Sequence, residues 1–545
     1  MSDSASKDGS RRSLISWLPL IGAALFCGGM WLGYLLADGD RITPAQAKLN
    51  TIFELIEEDY VDTVDMDSLV EMTIPMLLKN LDPHSVYVPA AARERANRDL
   101  ESSFFGIGIT FQILNDSVCV VEVVPGGPAE LEGVLAGDRI VAVDGQSLIG
   151  KDIDNEAVFG LLRGPKDSPV EITVVRAGEP APLKFNLIRD VIPSVSIEAS
   201  YLMNDSVGYV RLSKFAANTH TEFLQAMTDL RYNGATCFII DLRDNSGGLL
   251  DQAILIANEL LPAGSDIVSV RGRDSSNDSH WQADGTSLFA ESPLVVLVDE
   301  FTASSSEIVA GAVQDNDRGL ILGRRTYGKG LVQHKIALPD SSEIRLTVQR
   351  YYTPSGRSIQ KPFKPGELDE YETEVMGRIA SGELFSADSV KLNSTEIFTT
   401  LSGRPVYAGG GIMPDVFVAS DTTGYTSYYL RVANEGLITS FAYEYADLNR
   451  ADLSESRSVD ELLSKLPGHD VLLWAFVKYA ADNGVPRRWY YINNSAELIV
   501  NLLTAHIARD ILGVDAFYQI VNRRDPVVNE AIRRLNQGID LSKTE

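Results

Sequence analysis

The chain is poor in the residues that mark several common chemistries. It has three cysteines in 545 residues, too few for a disulfide framework, and no CxxC pair. There is no HExxH, so zinc has no support, and no metal or cofactor is expected. Histidines number only six and are scattered, and no G-x-S-x-G nucleophile elbow occurs. The run GRRTYGKG at 323–330 comes near a phosphate-binding loop, but Gly330 stands where Ser or Thr must hold magnesium. Basic side chains are scarce, 48 against 75 acidic ones, and the net charge of −27 argues against a nucleic-acid partner. No repeat of fixed period and no long low-complexity tract is present. What remains is a globular composition, 45% hydrophobic and 23% charged, long enough for roughly three or four domains. Cys119 and Cys237 lie in apolar strand-like runs and read as small buried thiols.

Residues 14–37 contain no charged side chain. As a helix they would span ~36 Å, enough for a hydrocarbon core of about 30 Å. Lys7, Arg11 and Arg12 precede the run, and Asp38 and Asp40 follow it. The positive-inside bias then predicts a cytoplasmic tail at 1–13, a single-pass anchor at 14–37 in a bacterial inner membrane, and the remaining mass in the periplasm. A cleaved signal peptide is the rival reading, but this run is longer than such segments and ends Tyr34-Leu35-Leu36-Ala37. Lipid attachment at Cys27 is disfavoured by the bulky Phe26 before it.

Residues 41–100 read as helical, with Leu49, Ile52, Phe53 and Ile56 forming one apolar stripe. From 101 to 190 the texture becomes short β-branched strands and turns, including Gly-Asp-Arg-Ile at 137–140 and Val-Asp-Gly at 143–145. This stretch resembles a PDZ domain. Gly106-Ile107-Gly108-Ile109 would turn successive N–H groups onto one point, a nest for a peptide's terminal carboxylate. The peptide would add as a strand beside Ile109-Thr110-Phe111, its last side chain near Val158 and Leu162. Alone, GIGI could also be an ordinary glycine-bulged strand.

Residues 191–425 read as an α/β core, with apolar strands alternating with helices. Residues 426–545 are helical again and show no chemistry; they fit a packed accessory or dimerising domain. Three strand ends in the core bring hydroxyls (FTASSSEI, 301–308), glycine N–H groups (DNSGG, 244–248) and a lysine (TYGKGLVQ, 326–333). A serine needs a base, and no histidine lies in a segment poised beside the cluster. A lysine can serve if burial lowers its pKa from ~10.4 towards neutrality. Gly247 and Gly248 would expose N–H groups for a developing oxyanion.

DLRDNSGG (241–248), VLVDEFTASSSEI (296–308), TYGKGLVQ (326–333), YYTPSGRSIQ (351–360) and GGGIMPDV (409–416) resemble the ordered signatures of carboxy-terminal processing peptidases. LDPHSVYV (81–88) ahead of the PDZ-like module is typical as well. The resemblance covers roughly 45–420. It implies a serine–lysine endopeptidase on a crotonase-like α/β fold, with an inserted PDZ domain that recognises substrate C-termini and no need for ATP. It places the nucleophile at Ser304, the general base at Lys329, and the residue orienting its ammonium at Gln333. The oxyanion hole would join a Gly247 or Gly248 N–H to that of Ser305. The chain departs from the family pattern with Ser246 for Pro and Ser305 for Ala.

Bland readings stand beside these roles. Ser304 with Glu307 spells a capping box, S-x-x-E. Ser305 or Ser306 could carry the reactive hydroxyl, Lys329 could be a solvated surface lysine, Gln333 an ordinary strand residue, and the glycines a tight turn. Asp241 and Arg243 read as structural. The implied partners are polypeptides with free C-termini, with a homo-oligomer or an adaptor protein left open. The rival function is a non-catalytic PDZ scaffold.

Overall fold

Every side chain of Cys237–Asp241 and Leu294–Val298 is buried, as in strands covered on both faces. In this computed structural model, which describes residues 22–31 and 43–541 apart from 98–99, 102, 115–116, 151–152, 177, 365–366, 391–395 and 540, they lie at the centre of a six-stranded sheet. Its order is Ile197–Leu202, Val207–Leu212, Cys237–Asp241, Leu294–Val298, Leu320–Gly323, Val416–Phe417. The first pair is antiparallel and the rest are parallel. Period-two alternation sends Phe238, Ile240 and Val296 to one face. There they pack with Phe223, Ile256 and Val309 of the helices Thr219–Tyr232, Leu250–Leu260 and Ser305–Asp315. Ile239, Val295 and Leu297 point to the other face and meet Val527, Val528 and Ala531 of Pro526–Gln537. The last helix of the chain therefore supplies the core's second layer.

A second, five-stranded sheet is built around Glu343–Tyr352, which pairs with Leu331–Ala337, Val86–Val88 and Asp266–Gly272. Val86–Val88 falls in the stretch read as helical. Three residues carry no periodicity, and this strand exists through its pairing with residues some 257 positions away, Tyr87 opposite Ile344.

The PDZ-like module is a sheet ordered Ile109–Leu114, Ser117–Val123, Arg139–Val143, Pro169–Val175, Leu183–Ile188, with the helix Asn155–Leu162. Its first and last strands, Ser103–Gly106 and Asp190–Pro193, pair with each other. Cys119 and Cys237 are buried free thiols, and burial pushes Cys119 up to about 12.

The helices from Ser427–Asn434 to Val514–Val521 enclose their own core, including Phe441, Phe476 and Leu503. This bundle also touches the PDZ-like module. Tyr443 packs on Cys119 and Val121, and Arg450 Nη2 donates to Ala136 O at 3.0 Å while pairing with Asp447 and Asp510 at 2.7 Å.

Residues 1–77 form a unit separate from 78–545. Within it Pro44–Asp59 is capped by Thr43, whose Oγ1 accepts from Gln46 N at 3.3 Å. The membrane-spanning helix expected at 14–37 is corrected. Among the described residues no helix is long and apolar enough to cross a membrane. Residues 14–21 and 32–37 of that run, and the tail 1–13, lie outside the described residues. Residues 22–31 between them are helical, which at 1.5 Å per residue covers ~15 Å, about half a hydrocarbon core.

Arg357 is the largest fully buried side chain. Its Nη2 meets Asp315 Oδ1 at 2.7 Å and Gln314 Oε1 at 2.8 Å, and Nη1 donates to Tyr407 O at 2.9 Å. Removing one member of such a pair leaves a buried charge alone. Arg357→Met is expected to cost about 3–5 kcal/mol, read as a lower midpoint in chemical denaturation, with part of the loss recovered in Arg357→Met/Asp315→Asn.

Candidate active site

The strand Leu294–Val298 runs into a turn that ends at Ser304, the residue before the helix Ser305–Asp315. Ser304 has φ +55° and ψ −115°, a backbone conformation rare for any residue with a side chain. Its neighbours over-determine it. Asp299 N donates to Thr302 Oγ1 at 2.9 Å, Thr302 Oγ1 donates to Leu242 O at 2.9 Å, and Ala303 N donates to Asn245 O at 3.0 Å. The strain is thus held by the adjoining loop 242–248, not by the turn itself.

The three serines are not equivalent. Ser305 and Ser306 are 1% and 0% exposed, and their hydroxyls donate to Gly248 O (2.9 Å) and Asn245 O (3.0 Å). Ser304 alone reaches the surface of the cluster. A buried hydroxyl already spent on a backbone carbonyl is a poor nucleophile, which speaks against Ser305 and Ser306 in that role.

Glu307 ties this serine to the lysine segment. The carboxylate is wholly buried and accepts from Ser304 N (2.8 Å), Thr326 Oγ1 (2.5 Å), Gly328 N (2.8 Å) and Lys329 N (2.9 Å). Burial pushes its pKa up, and these donors pull it back. The S-x-x-E cap is therefore real in its carboxylate half, and it serves the site as well as the helix. Tyr351 makes a second bridge, its hydroxyl lying 2.6 Å from Lys329 O and 3.2 Å from Ser304 O. Two buried side chains thus clamp the main chains of residues 304 and 329 together.

Lys329 is half-buried, and burial drives its pKa down, with the Arg345 charge acting the same way against Glu307 and Asp82. Its Nζ donates to Gln333 Oε1 at 3.1 Å. Gln333 in turn donates to His84 O. No hydrogen bond joins Lys329 Nζ to Ser304 Oγ among the described residues; the ammonium is given to Gln333. The turn carrying His84 is fastened by Asp82, which accepts from His84 N (2.8 Å), Ser85 N (2.9 Å), Ser85 Oγ (2.6 Å) and Thr347 Oγ1 (3.0 Å). His84 itself is driven down to about 4, by burial first and then by Lys329, so it stays neutral near neutral pH.

The glycine loop lies directly on the elbow. A Cβ on Gly247 would meet Ser304 Cβ at 2.8 Å and Ser305 N at 2.9 Å, and one on Gly248 would meet Phe215 O at 2.1 Å. The Gly247 amide is already given to Asn245 Oδ1 at 2.9 Å. Among the described residues the Gly248 and Ser305 amides have no hydrogen-bond partner. Asp241 and Arg243 belong to a buried strut below the loop. Against the cost of burial, Arg243 and Arg211 hold the Asp241 carboxyl well below the usual range, and Arg243 also meets Asp525 at 2.6 Å.

In the PDZ-like module Gly106, Ile107 and Gly108 are buried and Ile109 is half-buried, with Gly108 at φ +77°. The carbonyls of Ile107 and Gly108 accept from Ala129 N and Val124 N, while among the described residues no hydrogen bond takes the Ile107, Gly108 or Ile109 amide. Val158 and Leu162 are 0% and 4% exposed and belong to the module's core, so they underlie the groove instead of lining an open pocket. Sequence reasoning did not assign Tyr351, Asn245 or the His84 carbonyl. Tyr351 and His84 lie within the quoted signatures YYTPSGRSIQ and LDPHSVYV, which was the available signal.

A profile of peptidase family S41 matches residues 206–367, and a PDZ-domain profile matches 119–176. A family of unknown function matches 428–513. The chain is 38% identical over 318 residues to a carboxy-terminal-processing protease of Bartonella bacilliformis, covering 58% of this chain and 72% of that protein. It is 33% identical over 329 residues to the carboxy-terminal processing protease CtpA of Bacillus subtilis, covering 59% and 69%. Among solved structures it resembles a photosystem II D1 C-terminal processing protease at 32% identity and a TM-score of 0.32, covering 58% of this chain and 91% of that one. With a half-buried serine held on a strained turn, its main chain clamped to that of a half-buried lysine, and relatives of this extent, the chain belongs to the carboxy-terminal processing proteases, serine-type peptidases of family S41 with a PDZ domain.

Proposed function

We propose that the chain is an ATP-independent endopeptidase working through a Ser304–Lys329 dyad on polypeptides whose C-termini its PDZ domain binds. The observation that carries this reading is the double clamp, Glu307 across the two amides and Tyr351 across the two carbonyls, which keeps nucleophile and base in one rigid frame. Neutral Lys329 takes the proton from Ser304 Oγ as it attacks the scissile carbonyl. The Gly248 and Ser305 amides receive the negative oxygen, a role supported by their lack of other partners. Lys329 then returns the proton to the departing amine, and water releases the acyl-enzyme by the same route. Gln333, held by the His84 carbonyl, positions the lysine nitrogen. The free amides at Ile107, Gly108 and Ile109 would take the substrate's terminal carboxylate, with the chain upstream paired to Ile109–Leu114.

Ser304→Ala and Lys329→Ala are each expected to lower kcat by about 10⁴–10⁶-fold on an unfolded protein with an apolar C-terminus, with circular dichroism unchanged. A fluorophosphonate probe should label wild type at Ser304 and leave both variants unmodified. Undiminished turnover in both variants would eliminate the Ser304–Lys329 mechanism, and a wild type showing neither labelling nor turnover would favour the scaffold reading.

The pH dependence follows from the lysine's surroundings. Only the neutral amine accepts a proton, so kcat/KM rises with pH through the Lys329 pKa. Arg345 disfavours the ammonium, so Arg345→Gln raises that pKa and moves the acid limb to higher pH, while Arg345→Lys keeps the charge and restores the limb. A limb that stays in place in Arg345→Gln would show that Lys329 is not the titrating base.

A further inference from the structure

Beside the lysine segment lies a cavity of about 690 Å³, lined by residues 347–350, Leu81, Asp82, Pro83, Leu331, Gln360 and the arginines Arg271, Arg273 and Arg350. Its size is that of a ligand cleft. The three guanidinium groups are exposed, and among the described residues none has a carboxylate partner. That is unusual company in a chain with 75 acidic and 48 basic residues. Arg271 lies over the Tyr352 ring at 4.6 Å, which occupies its face and leaves its N–H edge available.

The placement is costly. Arg271 and Arg350 stand directly opposite each other in the antiparallel ladder, where like charges destabilise a sheet. Asp82, the carboxylate on this wall, is consumed by four hydrogen bonds, three within its turn and one from Thr347 Oγ1 on the strand Glu343–Tyr352. In the neighbouring hairpin Asp274 accepts Ser276 N and Asp278 accepts Gly272 N, both at 2.9 Å. Lys361 is already covered by Tyr327, Tyr371 and Glu374, so it adds no free charge. An uncompensated cationic surface kept at a cost to the sheet is a surface with an anionic occupant.

Its position says which one. Leu331 faces Arg350 in the ladder two residues beyond Lys329, and Gln360 accepts the Gly330 amide at 2.9 Å. The cavity therefore adjoins the segment that carries Lys329, the residue that in the proposed mechanism hands its proton to the leaving amine. We propose that Arg271, Arg273 and Arg350 form a subsite for carboxylates on the released, C-terminal segment of the substrate. The inference rests on the Ser304–Lys329 reading and adds a specificity to it. The carboxylates are those of Asp or Glu side chains, since the substrate's terminal carboxylate goes to the Ile107–Ile109 amides.

The test uses the full chain and four peptides of one cleavage sequence, whose released segments are acidic or neutral, each with a free or an amidated terminus. Wild type at low salt is expected to favour the acidic over the neutral released segments, at the same terminus, by about tenfold in kcat/KM, less as salt rises. Arg271→Glu/Arg350→Glu should lose that preference while cleaving the neutral amidated peptide within about twofold of wild type. Arg273→Glu, outside the ladder, provides the same test should the double variant fold poorly. A loss that follows amidation in wild type and variants alike reports the Ile107–Ile109 nest, and a side-chain preference present in wild type and lost in the variants identifies Asp or Glu as the ligand of the arginines. Equal preference in wild type and variants, with cleavage intact, overturns the subsite alone. Failure of wild type to cleave any of the four removes the dyad reading and the subsite with it.

Discussion

One buried carboxylate sets the geometry on which the rest of the site depends. Glu307 sits in the first turn of the helix Ser305–Asp315, and its two oxygens gather donors from both the serine turn and the lysine segment. An unpaired carboxylate at this depth would be driven towards its neutral form. Four donors make the charged form tolerable, and in return the charge fixes where those donors stand. The main chains of residues 304 and 329 are thereby fixed from inside, while the Lys329 ammonium is held separately by Gln333. Backbone and side-chain tip are thus placed by different partners, an arrangement that suits the proposed dyad.

A second dependence runs through the helical C-terminal region. It contributes Val527, Val528 and Ala531 to the sheet's far face, an attachment of close-packed apolar surface. It also sends Asp525 to Arg243 at the root of the glycine loop. Its contact with the PDZ domain is of another kind, Arg450 reaching Ala136 O and Arg509 facing Glu122 at 3.8 Å around the small Tyr443–Cys119–Val121 cluster. The region that showed no chemistry in the sequence is thus joined firmly to the catalytic core and lightly to the peptide-binding module.

Much of the site was legible because the chemistry demands unusual residues in a fixed order. Ser304, Lys329 and the paired glycines stand at strand ends whose apolar runs are plain in the sequence. Without the family resemblance, the residues alone left open which member of each group acts. Three adjacent serines differ only in burial and in which carbonyl each hydroxyl finds. Gly247 and Gly248 differ only because Asn245, two residues back, takes one amide and leaves the other. Val86–Val88 gave no period to detect and depends on a partner strand far along the chain. The amphipathic pattern of Pro526–Gln537 announced a helix, but not that its apolar face would close the catalytic sheet. The uncharged run at 14–37 misled in the opposite direction, since composition alone allowed a span, whereas among the described residues no helix is long and apolar enough to cross a membrane.

The pairing of Ser103–Gly106 with Asp190–Pro193 brings the two chain crossings of the PDZ domain side by side, Gly106 opposite Asp190. A domain plugged into its host through neighbouring sockets leaves the host's own chain path almost uninterrupted. Evolution can then exchange or retune such a cartridge without redesigning the hydrolytic machinery beneath it, so that what the enzyme selects and how it cuts are inherited as separable traits.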